Sequence, residues 1–98
     1  MLPPTLIQAI ESNQLKLVTV LVGAGANVNM VGAQRFTPLH ASAFYGRPDI
    51  TRYLLEHGAN QKAQDVLGRT PFDVALWQHQ TGTAQVMADW TKSHATKK

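Results

Sequence analysis

The feature that most constrains this chain is an internal repeat. The tetrapeptide Thr37-Pro38-Leu39-His40 recurs as Thr70-Pro71-Phe72-Asp73, and Gly25-Ala26-Asn27 recurs as Gly58-Ala59-Asn60. Both markers recur at the same spacing. We call this spacing, which separates Thr37 from Thr70, the repeat step. A fixed period of roughly 20–50 residues is typical of architectures in which similar small units stack on one another.

The apolar residues follow the same spacing. Four series of apolar residues are separated by one repeat step: Leu6, Leu39 and Phe72; Leu17 and Ile50; Val20, Tyr53 and Val86; Leu21, Leu54 and Met87. Equivalent apolar positions indicate that each unit buries the same faces against its neighbours. We therefore predict that Leu54, at the centre of one series, lies in the core.

Helix start signals accompany the repeated markers. Thr37 and Thr70 are good N-cap residues, and Pro38 and Pro71 then fill the first helical position, where a missing N–H costs nothing. Asp73, three residues after Thr70, completes an approximate capping box. The two markers thus predict two helices that begin in the same way.

Glycine and proline punctuate the segments between these signals. Gly46 and Pro48 mark a tight break between two helices, and Gly25 and Gly58 suit the left-handed conformation that ends a helix. The pattern predicts helices over residues 4–11, 15–23, 38–45, 48–57, 71–78 and 83–90.

A period of about 33 residues with Thr-Pro-Leu-His resembles the ankyrin repeat family, whose unit is a β-turn followed by two antiparallel helices. The resemblance covers about residues 4–90. It implies an all-α helical repeat solenoid, in which three helix–turn–helix units are joined by β-turn or hairpin loops. We predict a repeat domain over residues 1–91, with units at about 1–31, 32–64 and 65–91, and a basic C-terminal tail over residues 92–98.

Three residues depart from the family pattern. Arg35 stands where the family usually has the glycine that Gly68 retains, so this turn must use another conformation or accept strain of about 1 kcal/mol. His79 stands where Gly46 stands in the middle unit. Gly82 costs about 1 kcal/mol relative to alanine inside a helix. We therefore expect a frayed C-terminal end.

The net charge of +3 arises from nine basic and six acidic residues, and three of the lysines lie in the last seven positions. The rest of the chain is formally neutral, which argues against nucleic-acid binding. That function remains an alternative, in which affinity falls steeply with salt. Its basic residues are Lys92, Lys97, Lys98, Arg35, Arg47, Arg52 and Arg69.

Catalytic and metal-binding patterns are not apparent. The chain has no cysteine, which excludes disulfides, a thiolate nucleophile and cysteine-based zinc sites. His79 and His94 show no metal-ligand spacing, and the resemblance implies that His40 joins adjacent units by hydrogen bonds. We predict no enzyme activity, no metal and no cofactor.

No apolar run is long enough to span a membrane, and the N-terminus lacks the features of a secretory signal. These observations predict a soluble protein in the cytoplasm or another intracellular compartment.

Binding to another protein is the function that the resemblance implies. In the family, partners contact the turn before each Thr-Pro pair and two residues late in each first helix. The corresponding turn residues here are Val31, Ala33, Gln34, Phe36, Gln64, Val66, Leu67 and Arg69. The corresponding helix residues are Glu11, Ser12, Phe44, Tyr45, Trp77 and Gln78.

These positions are unusually apolar and hold four of the seven aromatic residues. Phe44 and Trp77 are separated by one repeat step, so we expect them side by side. Aromatic residues and arginine dominate binding energy at interfaces. We predict a non-catalytic interaction module (an adaptor, an inhibitor or a complex subunit) with a concave binding face formed by Phe36, Phe44, Tyr45, Val66, Leu67, Arg69, Trp77, Gln78, Gln34 and Glu11. Alternatives are homo-oligomerisation through the aromatic residues, or aromatic rings that turn inward and complete the core.

Overall fold

The computed structural model describes residues 5–94, which contain helices and turns but no strand. The six α-helices form three consecutive pairs: α1 (Leu6–Glu11) and α2 (Leu15–Gly23), α3 (Pro38–Tyr45) and α4 (Pro48–Glu56), and α5 (Pro71–Trp77) and α6 (Thr81–His94). A 3-10 turn spans Ala33–Arg35. The first helices of the pairs, α1, α3 and α5, pack in one layer, and α4 packs between α2 and α6 in a second layer. The predicted all-α repeat solenoid is confirmed.

Capping residues fix where the first helix of each unit begins. The hydroxyl oxygens of Thr37 and Thr70 each accept a hydrogen bond from the backbone N–H three residues later, at 3.2 Å, as predicted. Thr5 does the same for α1, and the Gln8 side chain accepts from the Thr5 N–H at 2.9 Å. This third capping box starts α1 at Leu6, later than the predicted start at residue 4, which lies outside the described residues.

The last helix is longer than predicted. Helix α6 runs from Thr81 to His94, whereas the sequence predicted residues 83–90 with a frayed end. Gly82 lies in the first turn of α6, where it does not interrupt the helix interior. Thr91 stands one repeat step after Gly58, so the glycine that closes the earlier helices is missing and α6 continues. The predicted tail boundary after residue 91 falls inside α6, and residues 95–98 lie outside the described part of the chain.

The turn before α3 accepts backbone strain at Arg35, which was one of the two expected outcomes. Arg35 has a φ of 59° and its neighbour Gln34 a φ of 60°, both in the left-handed region. Gly68, in the corresponding turn before α5, has a φ of 77°, which glycine adopts without steric cost. The backbone thus keeps a left-handed residue in this turn although the side chain at position 35 disfavours it.

The core lies between the two helix layers. Leu54 is fully buried, as predicted, together with Ile10, Leu39, Val74 and Met87. Two members of the apolar series, Val20 and Phe72, are instead exposed. Both lie in units that, within residues 5–94, pack on only one other unit, and this leaves part of the repeated apolar pattern uncovered.

Adjacent units are also tied through the ends of their first helices. The Arg47 guanidinium donates to the carbonyl oxygens of Ile10 at 3.2 Å and Glu11 at 2.6 Å. Gln80, one repeat step after Arg47, donates from its side-chain amide to the carbonyl oxygen of Phe44 at 3.3 Å. One position of the repeat therefore donates to carbonyls at the end of the first helix of the preceding unit.

Candidate protein-interaction groove

A groove of about 470 Å³ runs between the turns and the first helices of the stack. Its lining is mostly apolar and comes from α1, from both turns and from the end of α3: Ile7, Gly32, Ala33, Gln34, Phe36, Phe44, Tyr45, Asp65, Val66, Leu67 and Arg69. A concave, largely apolar surface with a few polar groups is the usual form of a binding site.

Aromatic rings form the floor of the groove. The Phe36 and Phe44 rings meet edge to face with their centroids 6.2 Å apart, and the Phe44 and Tyr45 rings do the same at 4.9 Å. Phe36 and Phe44 are half-buried against the core, whereas Tyr45 is exposed. The rings are therefore shared between core packing and the groove surface, so neither the fully inward nor the fully outward expectation describes them.

The buried carboxylate of Asp65 shapes the second turn. It accepts hydrogen bonds from the backbone N–H groups of Leu67 and Arg69 and from the Arg69 guanidinium, each at 2.9 Å. Burial alone would raise the pKa of Asp65, but these hydrogen bonds and the charge of Arg69 outweigh it and lower that pKa. With the carboxylate satisfied beneath the turn, Val66 and Leu67 project into solvent.

The two turns are joined to each other. The backbone N–H of Val66 donates to the carbonyl oxygen of Gln34 at 3.1 Å. Within the turns, the N–H of Gly32 donates to the carbonyl of Phe36 at 2.8 Å, and the N–H of Asp65 donates to the carbonyl of Arg69 at 3.0 Å. These bonds close each turn and link the two turn tips to each other.

Arg69 connects the groove to Trp77. Its guanidinium carbon lies 4.7 Å from the centroid of the exposed Trp77 ring, a cation–π arrangement. Among residues 5–94, the aromatic pairs include Phe36–Phe44 and Phe44–Tyr45 but not Phe44–Trp77. Phe44 and Trp77 therefore do not lie side by side as expected. The Phe44 ring packs on Phe36 and Tyr45, whereas the Trp77 ring packs on the Arg69 guanidinium.

Tyr45, which lines the groove, also contacts Glu11. The Tyr45 hydroxyl donates to the Glu11 carboxylate at 3.4 Å, and the Arg47 guanidinium lies 6.0 Å from the Tyr45 ring centroid. Burial and the negative charge of Glu11 raise the pKa of Tyr45. An acidic and a basic side chain therefore both lie beside Tyr45.

The structure places seven of the ten predicted binding residues in the groove lining and leaves three outside it. Glu11 lies beside Tyr45, Trp77 lies beside Arg69, and Gln78 is half-buried at the C-cap of α5. Sequence reasoning missed Ile7, Gly32 and Asp65. The Asp65-Val66-Leu67-Gly68 segment, with aspartate first and glycine fourth, is a turn signature that indicates the role of Asp65. Ile7 carries no such signal.

Two of the arginines of the nucleic-acid alternative already have partners in the described part of the chain. Arg47 and Arg69 are engaged with carbonyl oxygens and with Asp65, respectively. Arg52 and Arg35 are exposed, Lys92 lies in α6, and Lys97 and Lys98 lie outside the described residues. Residues 5–94 contain no group of three or more metal-ligating side chains.

Three stacked helix pairs with protruding turns define a helical repeat protein with a concave face. The chain matches the family of ankyrin repeats (3 copies) over residues 6–97, and it belongs to that family. Ankyrin repeats generally mediate protein–protein interaction and are typically non-catalytic.

Several proteins of known function contain similar repeats. The chain is 39% identical to human 2-5A-dependent ribonuclease over 71 residues, which cover 71% of this chain and 10% of that protein. It is 38% identical to human protein phosphatase 1 regulatory subunit 27 over 67 residues, which cover 68% of this chain and 44% of that protein. It is 33% identical to glycerophosphocholine phosphodiesterase gde1 of Schizosaccharomyces pombe over 95 residues, which cover 96% of this chain and 8% of that protein.

The chain therefore spans less than half the length of each of these relatives. Within residues 5–94, none of the helices has the length and apolar character that crossing a membrane requires.

Proposed function

We propose that this chain is a non-catalytic module that binds a partner protein in the groove between its turns and its first helices. The observation that carries the proposal is the presentation of apolar side chains by a turn whose polar groups are already satisfied. Val66 and Leu67 are exposed above Asp65, which accepts three hydrogen bonds from its own turn. Exposed apolar residues that are held in place in this way indicate a surface that contacts another protein.

The second support is the fixed geometry of the groove. The Gln34–Val66 bond between the turns and the ring contacts among Phe36, Phe44 and Tyr45 limit the conformations that the surface samples. A partner that docks here orders few side chains of this chain, and the entropic cost of association is correspondingly small. Tyr45, Arg69 and Trp77 belong to the residue types that most often supply the binding energy at interfaces.

Polar groups lie beside this apolar floor. Glu11 contacts Tyr45, and the Arg69 guanidinium lies against the Trp77 ring. An adaptor, an inhibitor and a complex subunit all use such a surface. One relative is named as a regulatory subunit of a phosphatase, which is consistent with binding to another protein.

The proposal is tested by quantitative affinity capture from the native host with variants of the groove. Leu67→Glu places a charge on the exposed turn, and Trp77→Ala removes the ring beside Arg69. We expect each to reduce the recovery of the same partner at least about tenfold, equivalent to about 1.4 kcal/mol or more.

The matched control is Val20→Glu, which adds the same charge at an exposed apolar residue of α2 that does not line the groove. It should recover the partner as the wild type does. Binding of the purified partner, measured by calorimetry, then establishes direct contact. Equal loss with Val20→Glu, or no loss with Leu67→Glu and Trp77→Ala while the fold is intact, contradicts the proposal.

A further inference from the structure

The backbone of Arg69 is fixed on both sides of the residue. Its N–H donates to the Asp65 carboxylate at 2.9 Å. Its carbonyl oxygen accepts the N–H of Asp65 at 3.0 Å, and the His40 Nε2 lies 2.8 Å from the same oxygen. Both polar groups of the Arg69 backbone therefore have partners, and the Cα is held at one place beside the groove.

The side chain of Arg69 is held as well. Its Nε donates to the second carboxylate oxygen of Asp65 at 2.9 Å, and its guanidinium carbon lies 4.7 Å from the centroid of the Trp77 ring. A hydrogen bond at Nε and a ring beneath the guanidinium together restrict the rotamer of a side chain that is flexible in most surface positions. Little side-chain entropy therefore remains for a partner to remove.

The two Nη groups of this guanidinium keep unused donors. Of the five N–H donors of an arginine side chain, four belong to the Nη groups. Among residues 5–94, the hydrogen bond from Nε to Asp65 is the one that the Arg69 side chain makes. The side chain is 25% exposed and lines the groove together with Gln34 and Phe36 of the preceding turn. Arg69 thus presents free donors to a groove that lies between two units of the stack.

We propose that Arg69 recognises a side-chain carboxylate of the partner protein, from an aspartate or glutamate that stands next to a large apolar residue. Parallel N–H groups of the two Nη atoms match the two oxygens of a carboxylate. The apolar residue packs on Phe36, Phe44 and Leu67, which line the same groove. This inference rests on the proposed function, because it names the chemistry of the segment that the groove binds.

The charges in and beside the groove favour an acidic segment. The ion pair found among residues 5–94 joins Arg69 to Asp65. Arg47 lies beside Tyr45, and Arg35 lies between two residues that line the groove. Their two positive charges face one further carboxylate, that of Glu11. The surroundings are therefore positive overall, which attracts a negatively charged side chain.

A carboxylate suits this place better than a phosphate group. The Asp65 carboxylate lies 2.9 Å from the Arg69 Nε, and its hydrogen bonds and the charge of Arg69 lower its pKa, so it is ionised at neutral pH. A phosphate monoester carries close to two negative charges. Asp65 therefore repels a phosphate about twice as strongly as it repels a carboxylate at the same distance.

The first step of the test selects short random peptides, displayed on phage, for binding to the purified chain. Peptides that no longer bind Leu67→Glu occupy the groove. We expect them to share an aspartate or glutamate beside a large apolar residue. If no selected peptide depends on Leu67, the proposed function and this inference fail together. Groove-dependent peptides without a shared acidic residue contradict this inference alone.

A double-mutant cycle then tests the contact with Arg69. One selected peptide and its counterpart with an amide in place of the carboxylate are titrated against the wild type and Arg69→Gln, with fluorescence anisotropy as the readout. The carboxylate should strengthen binding about tenfold on the wild type and less than about twofold on Arg69→Gln. Arg52→Gln removes the same charge at an exposed position of α4 and should keep the tenfold gain. An equal gain on the wild type and Arg69→Gln, or an equal loss of the gain in both variants, overturns the proposal.

A second variant at the same position keeps the test decisive if Arg69→Gln fails to fold, which circular dichroism establishes. Arg69→Lys retains the charge but lacks the paired donors, so the gain from the carboxylate should fall to an intermediate value. An undiminished gain would contradict paired hydrogen bonds from the Nη groups.

The positioning role of Trp77 has its own readout. Trp77→Leu removes the ring that restricts the guanidinium, so it should reduce the difference in affinity between the carboxylate and amide peptides. A ring that acts only through the fold would weaken both peptides equally, and this result would contradict the positioning role. A phosphoserine in place of the acidic residue should bind more weakly than the carboxylate, and tighter binding would overturn the choice of a carboxylate.

Discussion

The His40 side chain connects the middle unit to the third, because its Nε2 lies 2.8 Å from the carbonyl oxygen of Arg69. Its Nδ1 lies 3.2 Å from the backbone nitrogen of Thr37 and must accept that N–H. The neutral ring therefore carries its proton on Nε2 and donates it to Arg69. This geometry matches the linking role that the resemblance implied. It joins the turn that carries Leu67 to the first turn of α3.

Replacement of His40 by alanine should destabilise the fold. The change removes the acceptor of the buried Thr37 N–H and one of the two donors to the Arg69 carbonyl, which costs about 1–3 kcal/mol. Urea denaturation followed by circular dichroism measures the loss. His57→Ala is the control, because the His57 side chain is exposed and bonds within its own helix end. An equal loss in both variants contradicts the linking role of His40.

Stability should fall on acidification because of His40. Burial lowers the pKa of His40 in the folded state, although its bond to Arg69 opposes this effect. In the unfolded chain the pKa is about 6.5. Protons therefore bind the unfolded state more tightly. The contribution of His40 to stability is complete above about pH 6.5 and is lost as the pH falls through the folded pKa.

The free energy of unfolding, measured from pH 7.5 to 5 in the wild type and in His40→Gln, tests this prediction. The wild type should lose more stability over this range than the variant. The other three histidines are present in both proteins, so their contributions cancel. Parallel curves would show that His40 does not carry this pH dependence.

A glycine at position 35 should stabilise the protein. Arg35 has a left-handed φ of 59°, which costs a residue with a Cβ about 1 kcal/mol or more. Arg35→Gly should therefore raise the free energy of unfolding, although the greater freedom of the unfolded chain offsets part of the gain. Arg52→Gly, an exposed change inside α4, should instead destabilise by about 1 kcal/mol. Thermal unfolding of both variants shows whether each change raises or lowers the stability. A loss of stability in both variants would contradict backbone strain at Arg35.

Truncation of the Leu54 side chain should strongly lower the free energy of unfolding. Leu54 is fully buried between the helix layers, and Leu54→Ala leaves a cavity that costs about 2–5 kcal/mol. Leu67→Ala, on the exposed turn, should change stability by no more than about 0.5 kcal/mol. Chemical denaturation distinguishes the two, and similar midpoints would place Leu54 outside the core.

The repeat pattern predicted local features well because each depends on a few neighbouring residues. The caps at Thr37 and Thr70 and the break at Gly46 lie where the sequence predicted them. The missed cap at Thr5 was also readable, since Gln8 follows it by three residues. The predicted α6 was too short, because Gly82 lies in the first turn of the helix and position 91 holds threonine where Gly58 ends the earlier helix.

The repeat period by itself determined the helix pairs, their order and the faces that they bury, because periodic apolar positions need periodic neighbours. Only the tertiary structure decided which of those positions remain exposed, since a unit that packs on only one other unit within residues 5–94 leaves part of the pattern uncovered. It also decided that Arg69, rather than Phe44, contacts Trp77, and that Asp65 supports the turn. Contacts between side chains depend on rotamers and on residues distant in the chain, which a repeated spacing does not specify.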